Sequence, residues 1–209
     1  VVKYNRLVVC PGLKLDWHAV DGLVETLGKN GVTSNYRYDL APYTWELVKA
    51  MKGGRALFTQ PPMPIKCAGA PQKAMYLSAS NWERMGVLKD VDIQFMNAGG
   101  VLFGVKDYVP ALMQYVERYD ASLNFFHNLV AVDGAAKTAT FAVNKPDAEP
   151  ETITTEFDMM HVTPPQTAPD FIRVSPPPDE AGRIDVDQST LPHTQYYNTW
   201  SPGYVSTRP

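Results

Sequence analysis

The chain has 209 residues, 44% of them hydrophobic, which suits one large domain or one whole domain with pieces of another. A net charge of −3 excludes the dense Lys/Arg surface that grips phosphate, so nucleic acid is not an expected partner. Two cysteines, Cys10 and Cys67, are too few for a disulfide framework or a CxxC zinc site. The histidines His18, His127, His161 and His193 lie far apart without HExxH spacing; each reads as a surface or core-edge residue, and no metal is expected. No apolar run approaches the ~20 residues of a membrane-spanning helix. The start, Val1-Val2-Lys3-Tyr4, has neither an initiator Met nor a signal-peptide pattern, so a piece of a longer protein is expected.

In chain order, Leu7-Val8-Val9-Cys10 reads as a buried strand ended by Pro11-Gly12, with Cys10 as a packing residue. A polar, Gly-containing connection runs to about Pro42. A short helix follows, with Trp45, Val48 and Met51 on one face, stopped by Gly53-Gly54. Ala56-Leu57-Phe58-Thr59 is a buried strand, and the loop from Gln60 to Ala70 carries three prolines and Cys67. Pro71 opens a helix with Met75, Ala79 and Trp82 on one face, ending near Gly86. Asp92 to Asn97 is a second strand. The loop to Lys106 leads to a helix capped by Asp107, with Leu112, Val116 and Tyr119 on its buried side. A strand from Leu123 to Phe126 completes βαβαβ, which implies a parallel sheet with right-handed crossovers.

The rhythm then changes. Leu129 to Asp133, Thr138 to Val143 and Thr152 to Glu156 predict an antiparallel meander, and Met159 to Thr163 a last strand broken by Pro164-Pro165. Ser175-Pro176-Pro177-Pro178 can be neither helix nor central strand. Arg183 to Asp187 suggests one more short strand, and Tyr196 to Pro209 a partly disordered tail. The fold class is therefore α/β: a Rossmann-like domain over residues 45–163, with flanks 1–44 and 164–209 that belong to another folding unit.

The sharpest chemical feature is Lys66-Cys67-Ala68-Gly69-Ala70-Pro71-Gln72-Lys73. A loop cysteine just before a helix N-terminus, with a lysine on each side, favours thiolate, the nucleophilic form of the group. Gly69 would let backbone approach a ligand closely. The other reading is a small thiol filling a loop. The second feature is an absence. A dinucleotide-binding βαβ unit runs its first strand into G-x-G-x-x-G, whose N–H groups cradle pyrophosphate. Here the turn is Gln60-Pro61-Pro62-Met63-Pro64, and prolines have no N–H to give. Gly99-Gly100 and Gly104 read as turn glycines. Pro11-Gly12 suits either a cofactor approach or a plain turn, and Val162-Thr163-Pro164-Pro165 either a rigid edge for a flat ring or a strand terminator.

On the cysteine loop, the chain resembles the sulfide:quinone oxidoreductases of the mitochondrial type, within the two-dinucleotide-binding-domain flavoproteins. Val9-Cys10-Pro11-Gly12-Leu13-Lys14-Leu15-Asp16, Phe103-Gly104-Val105-Lys106, His161-Val162-Thr163-Pro164-Pro165, Ala181-Gly182 and Asp185-Val186-Asp187 extend the resemblance from about Tyr4 to Asp187. It implies that residues 1–44 and 164–209 belong to an FAD-binding domain, and 45–163 to a second domain without an NAD motif. It further implies Cys67 as one of two redox cysteines, and FAD as cofactor beside Pro11, Gly12, Lys66, Thr163, Pro164 and Pro165. The implied partners are sulfide, a quinone and a sulfur-acceptor thiol. The implied location is peripheral, at a bacterial membrane or the mitochondrial inner membrane. The family's N-terminal G-x-G-x-x-G and second redox cysteine are not in these residues, and Ser201-Pro202-Gly203-Tyr204 stands where the family has Gly-Asp. The 209 residues are thus expected to be inactive alone. A sulfur-carrying or interaction fragment and an NADH:quinone dehydrogenase are the alternative readings.

Overall fold

The computed structural model describes residues 2–175 and 182–206. In chain order the elements are β1 (Leu7–Val8), β2 (Lys14–Leu15), α1 (Leu23–Thr26), β3 (Val32–Thr33), α2 (Ala41–Ala50), β4 (Gly54–Gln60) and α3 (Ala70–Met85). Then come β5 (Val91–Asn97), α4 (Val109–Arg118), β6 (Ser122–Phe125), β7 (His127–Asp133), β8 (Thr138–Val143) and β9 (Glu151–Glu156). The chain closes with β10 (Met159–His161), β11 (Gln166–Thr167), α5 (Asp170–Arg173) and β12 (Thr199–Trp200). Two compact units result: Trp17–Pro165, and a smaller one built from Val1–Asp16 and Gln166–Pro209.

The larger unit carries a parallel sheet in the order β3-β10-β4-β5-β6 and an antiparallel sheet β7-β8-β9, so the α/β expectation holds. Ala56, Leu57, Phe58 and Thr59 are all buried, as befits a strand covered on both faces. Alternation sends neighbouring side chains into different cores. Phe58 joins Met75, Trp82, Phe95 and Val48 on one face. Leu57 joins Val32, Met96, Phe141 and Met160 on the other. Trp82 also donates its indole N–H to the Val48 carbonyl at 2.9 Å, locking α3 to α2. Pro71 sits in the first turn of α3, and Gly86, at φ +73°, ends it by giving its N–H to the Trp82 and Glu83 carbonyls.

Several expectations need correction. The unit begins at Trp17, not Trp45, because β3 pairs in parallel with β10 and lies at the edge of the main sheet. A two-residue strand has no readable alternation. Trp45 is 47% exposed with the Lys49 ammonium 5.7 Å above its ring, while Thr44 and Val48 face inward. Asp107 caps nothing: a 3₁₀ turn at Lys106–Tyr108 precedes α4, whose N-cap is Tyr108 without a side-chain bond. His161 is fully buried rather than at a core edge.

In the smaller unit β1 pairs in parallel with β12, and β2 antiparallel with β11. The expected tail thus contains a strand, and the Ser201 hydroxyl donates to the Val9 carbonyl at 2.8 Å beside it. Arg183 to Asp187 forms only isolated bridges, Ile184 to Ser206 and Val186 to His193. Cys10 is exposed, not packed, because its neighbour Val9 takes the place in the core with Ile172, Ile184, Val186 and Val205. Pro176 to Pro178, Ala181 and the end of the tail lie outside the described residues.

Phe58 touches both the helical layer and the sheet, so Phe58→Ala should lower the unfolding free energy by about 3–5 kcal/mol in urea titrations. A loss near that of a surface change would contradict this core assignment.

Candidate functional site

All strands of the main sheet run parallel, so their carboxyl ends share one edge. Open α/β sheets bind ligands at that edge. Residues 34–36 follow β3 there, 61–69 follow β4, 98–105 follow β5 and 162–165 follow β10.

The segment after β4 carries the thiol. Cys67 is exposed and stands in the left-handed region, at φ +54°. For a residue with a Cβ that conformation costs about 1 kcal/mol or more, so something must hold it. Two hydrogen bonds do. The Tyr36 hydroxyl donates to the Lys66 carbonyl at 3.1 Å, and the Ala70 N–H donates to the Cys67 carbonyl at 2.8 Å. The Lys66 ammonium lies 5.9 Å from the Tyr36 ring centroid, a cation–π distance. Gly69, at φ −85°, is in the ordinary helical region, and an added Cβ would meet Lys73 at 3.9 Å, an ordinary contact. The residue with the special backbone is the cysteine itself.

Next to this loop is a cleft of about 250 Å³ lined by Gln60, Met63, Ala68, Leu102 and Phe103. Its walls are mostly apolar, which suits a flat ring more than a phosphate. Pro61 and Pro62 leave the turn without the N–H groups of a pyrophosphate cradle.

At the end of β10, Thr163 is buried and its N–H donates to the Thr59 hydroxyl at 3.1 Å. The Thr163 hydroxyl oxygen has no partner among the described residues, nor has Gln60 Oε1. Pro164 is buried and Pro165 half-buried. Pro11 and Gly12 belong to the smaller unit, where Pro11 is exposed and Gly12, at φ +77°, has open space beside its Cα. Lys66, Cys67, Thr163, Pro164 and Pro165 therefore share the carboxyl edge of the larger unit.

Sequence reading missed the segment after β3. Asn35 donates its N–H to His161 Nε2 at 2.9 Å, and Tyr36 donates its own to the Ser34 hydroxyl at 3.2 Å. Nothing in Ser34-Asn35-Tyr36 as a string marks it, beyond an aromatic in a polar stretch. His161 stacks on Phe58, its ring centroid 6.2 Å away. Because Nε2 accepts, the neutral ring carries its proton on Nδ1. Burial lowers the His161 pKa to about 4.

No protein-family model matches the chain. It is 39% identical over 209 residues to a mitochondrial sulfide:quinone oxidoreductase of Mus musculus, covering 100% of this chain and 46% of the relative. It is 40% identical over 210 residues to the protein of the same name in Dictyostelium discoideum, covering 100% and 45%. The chain is thus a relative of these proteins and spans slightly under half of their length. A sulfide:quinone oxidoreductase structure from Aquifex aeolicus superposes on 100% of this chain and 48% of its own, with a TM-score of 0.76 at 14% identity, a likeness of fold.

The buried imidazole carries a consequence for stability. Its folded pKa lies below the unfolded value of 6.5, so the unfolded chain binds the extra proton first as pH falls. The stabilisation is complete above pH 6.5 and is lost between there and pH 4, by about 3 kcal/mol in all. His161→Gln keeps an acceptor for Asn35 but cannot ionise. Urea titrations should show the chain losing stability over that window relative to the variant, and parallel curves would contradict the assignment.

Proposed function

We propose that this chain is the middle part of a sulfide:quinone oxidoreductase, and that Cys67 is one of its redox cysteines. The observation that carries the reading is an exposed thiol on the ligand-binding edge of the sheet, in the turn where a dinucleotide domain would hold pyrophosphate. Similarity to enzymes of that name along the whole chain supports it.

In the reaction, hydrosulfide attacks one sulfur of the disulfide that Cys67 forms with the family's second redox cysteine. A new S–S bond forms as the old one breaks, leaving one cysteine as persulfide and the other as thiolate with the electron pair. An acceptor thiolate then takes the outer sulfur, and the freed cysteine becomes a second thiolate. The two cysteines return to the disulfide by giving up two electrons. FAD bound on this edge would supply the two-electron acceptor between that thiol pair and a quinone. The residues of this chain fit the ring end of such a cofactor: the apolar cleft beside Ala68 has the chemistry for a flat aromatic system, and Thr163 offers a hydroxyl with no partner among the described residues. Lys66, Pro164 and Pro165 on the same edge, and Pro11 and Gly12 in the smaller unit, are the further residues proposed to contact FAD. The turn after β4 offers no phosphate grip, which argues against NADH as electron donor.

Among the described residues no helix is long and apolar enough to cross a membrane. Since quinones dissolve in lipid, peripheral contact with a membrane is proposed, and the relatives are mitochondrial by name.

In the full-length protein, Cys67→Ser should reduce sulfide-dependent quinone reduction by about a thousandfold or more, as loss of a covalent nucleophile does. NADH should not substitute for sulfide. Turnover that survives the substitution within about tenfold would refute the assignment.

A further inference from the structure

We propose that Tyr36 is a positioning residue for Cys67, acting through its hydroxyl, and that His161 seats Tyr36 for this task. The inference rests on Cys67 being the reacting thiol.

The Lys66 carbonyl that accepts from Tyr36 belongs to the peptide group joining Lys66 to Cys67. Its plane is the fixed side of the rotation that defines the cysteine's φ. The Ala70 N–H holds the next carbonyl, on the far side of the same Cα. Cys67 is thus clamped at both of its peptide planes, which is what a non-glycine residue at φ +54° requires. The Ala70 bond closes one turn of local chain. The Tyr36 bond instead crosses from the segment after β3 to the segment after β4, so it ties the cysteine to the frame of the sheet.

Tyr36 is itself held from two directions. The Ser34 hydroxyl accepts its N–H, and His161 Nε2 accepts the N–H of Asn35 just before it. His161 is fully buried at the end of β10, stacked on Phe58, so it is a fixed acceptor. A path of hydrogen bonds and two peptide links therefore runs from the buried end of β10 to the thiol. Without the Tyr36 hydroxyl, the 66–67 peptide loses the bond that ties it to the sheet, and Cys67 shifts toward a negative φ. That swings the Cβ–Sγ bond from its present exposed position.

The test uses the 209-residue chain with Cys10→Ser, so that Cys67 is the one thiol, and reads the rate of alkylation by iodoacetamide. Tyr36→Phe keeps the ring under the Lys66 ammonium and removes only the hydroxyl; it should slow alkylation roughly fivefold, the factor that one net hydrogen bond commands. His161→Leu, which takes the acceptor from Asn35, should slow it similarly, and His161→Gln, which restores one, should return it toward the parent rate. The pair at position 161 decides the matter even if Tyr36→Phe does not fold. Parental rates in Tyr36→Phe, or equal rates in His161→Leu and His161→Gln, would overturn the proposal, whatever happens to the melting temperature. Iodoacetamide needs no sulfide chemistry. A chain that fails to take up sulfur yet keeps these rate differences would refute the enzymatic reading and leave the positioning role intact.

Discussion

Burial of β4 on both faces is the constraint on which the rest depends. A strand sealed between a helical layer and a second core cannot shift register without moving Phe58 and Leu57 out of their separate clusters. The chain therefore leaves β4 at Gln60, and the next nine residues must cross the carboxyl edge before α3 can begin at Ala70. The thiol of the larger unit sits in that short crossing.

In a nucleotide-binding domain the crossing is made of glycine, and its N–H groups converge on pyrophosphate. Here prolines occupy the first part, so the donors are gone, and a cysteine in left-handed backbone occupies the second. The same sheet and the same helix N-terminus remain, but what they present is a thiol bordered by an apolar cleft. The exchange of a phosphate grip for an exposed thiol needs no new architecture. It does need a way to keep a strained residue in place, and the bonds to the carbonyls on either side of Cys67 supply one.

Much of this was legible in the sequence. The βαβαβ rhythm, the meander and the ends of α3 at Pro71 and Gly86 follow from period, proline and glycine alone. Cys67 stood out because its neighbours were unusual for a turn at that place. What escaped was non-local. The edge strand β3 has two residues and owes its existence to β10, about 130 positions later in the chain. Tyr36 matters only because folding brings it to Lys66, 30 residues away. His161 looked like any scattered histidine until the sheet closed around it. The positive φ in this loop falls on the cysteine and not on Gly69, a choice that propensity would not make. The sequence thus marks the candidate cysteine, and the side chains that hold its backbone are set by tertiary pairing.

The central claim is that Cys67 carries sulfur. Mass spectrometry of the peptides released from this chain after brief exposure to polysulfide tests it most directly, because both cysteines are exposed and serve as each other's control. The account predicts one additional sulfur atom on the peptide holding Cys67, removable by a reducing thiol, with little on the peptide holding Cys10. Equal labelling of the two peptides, or none at Cys67, would contradict it.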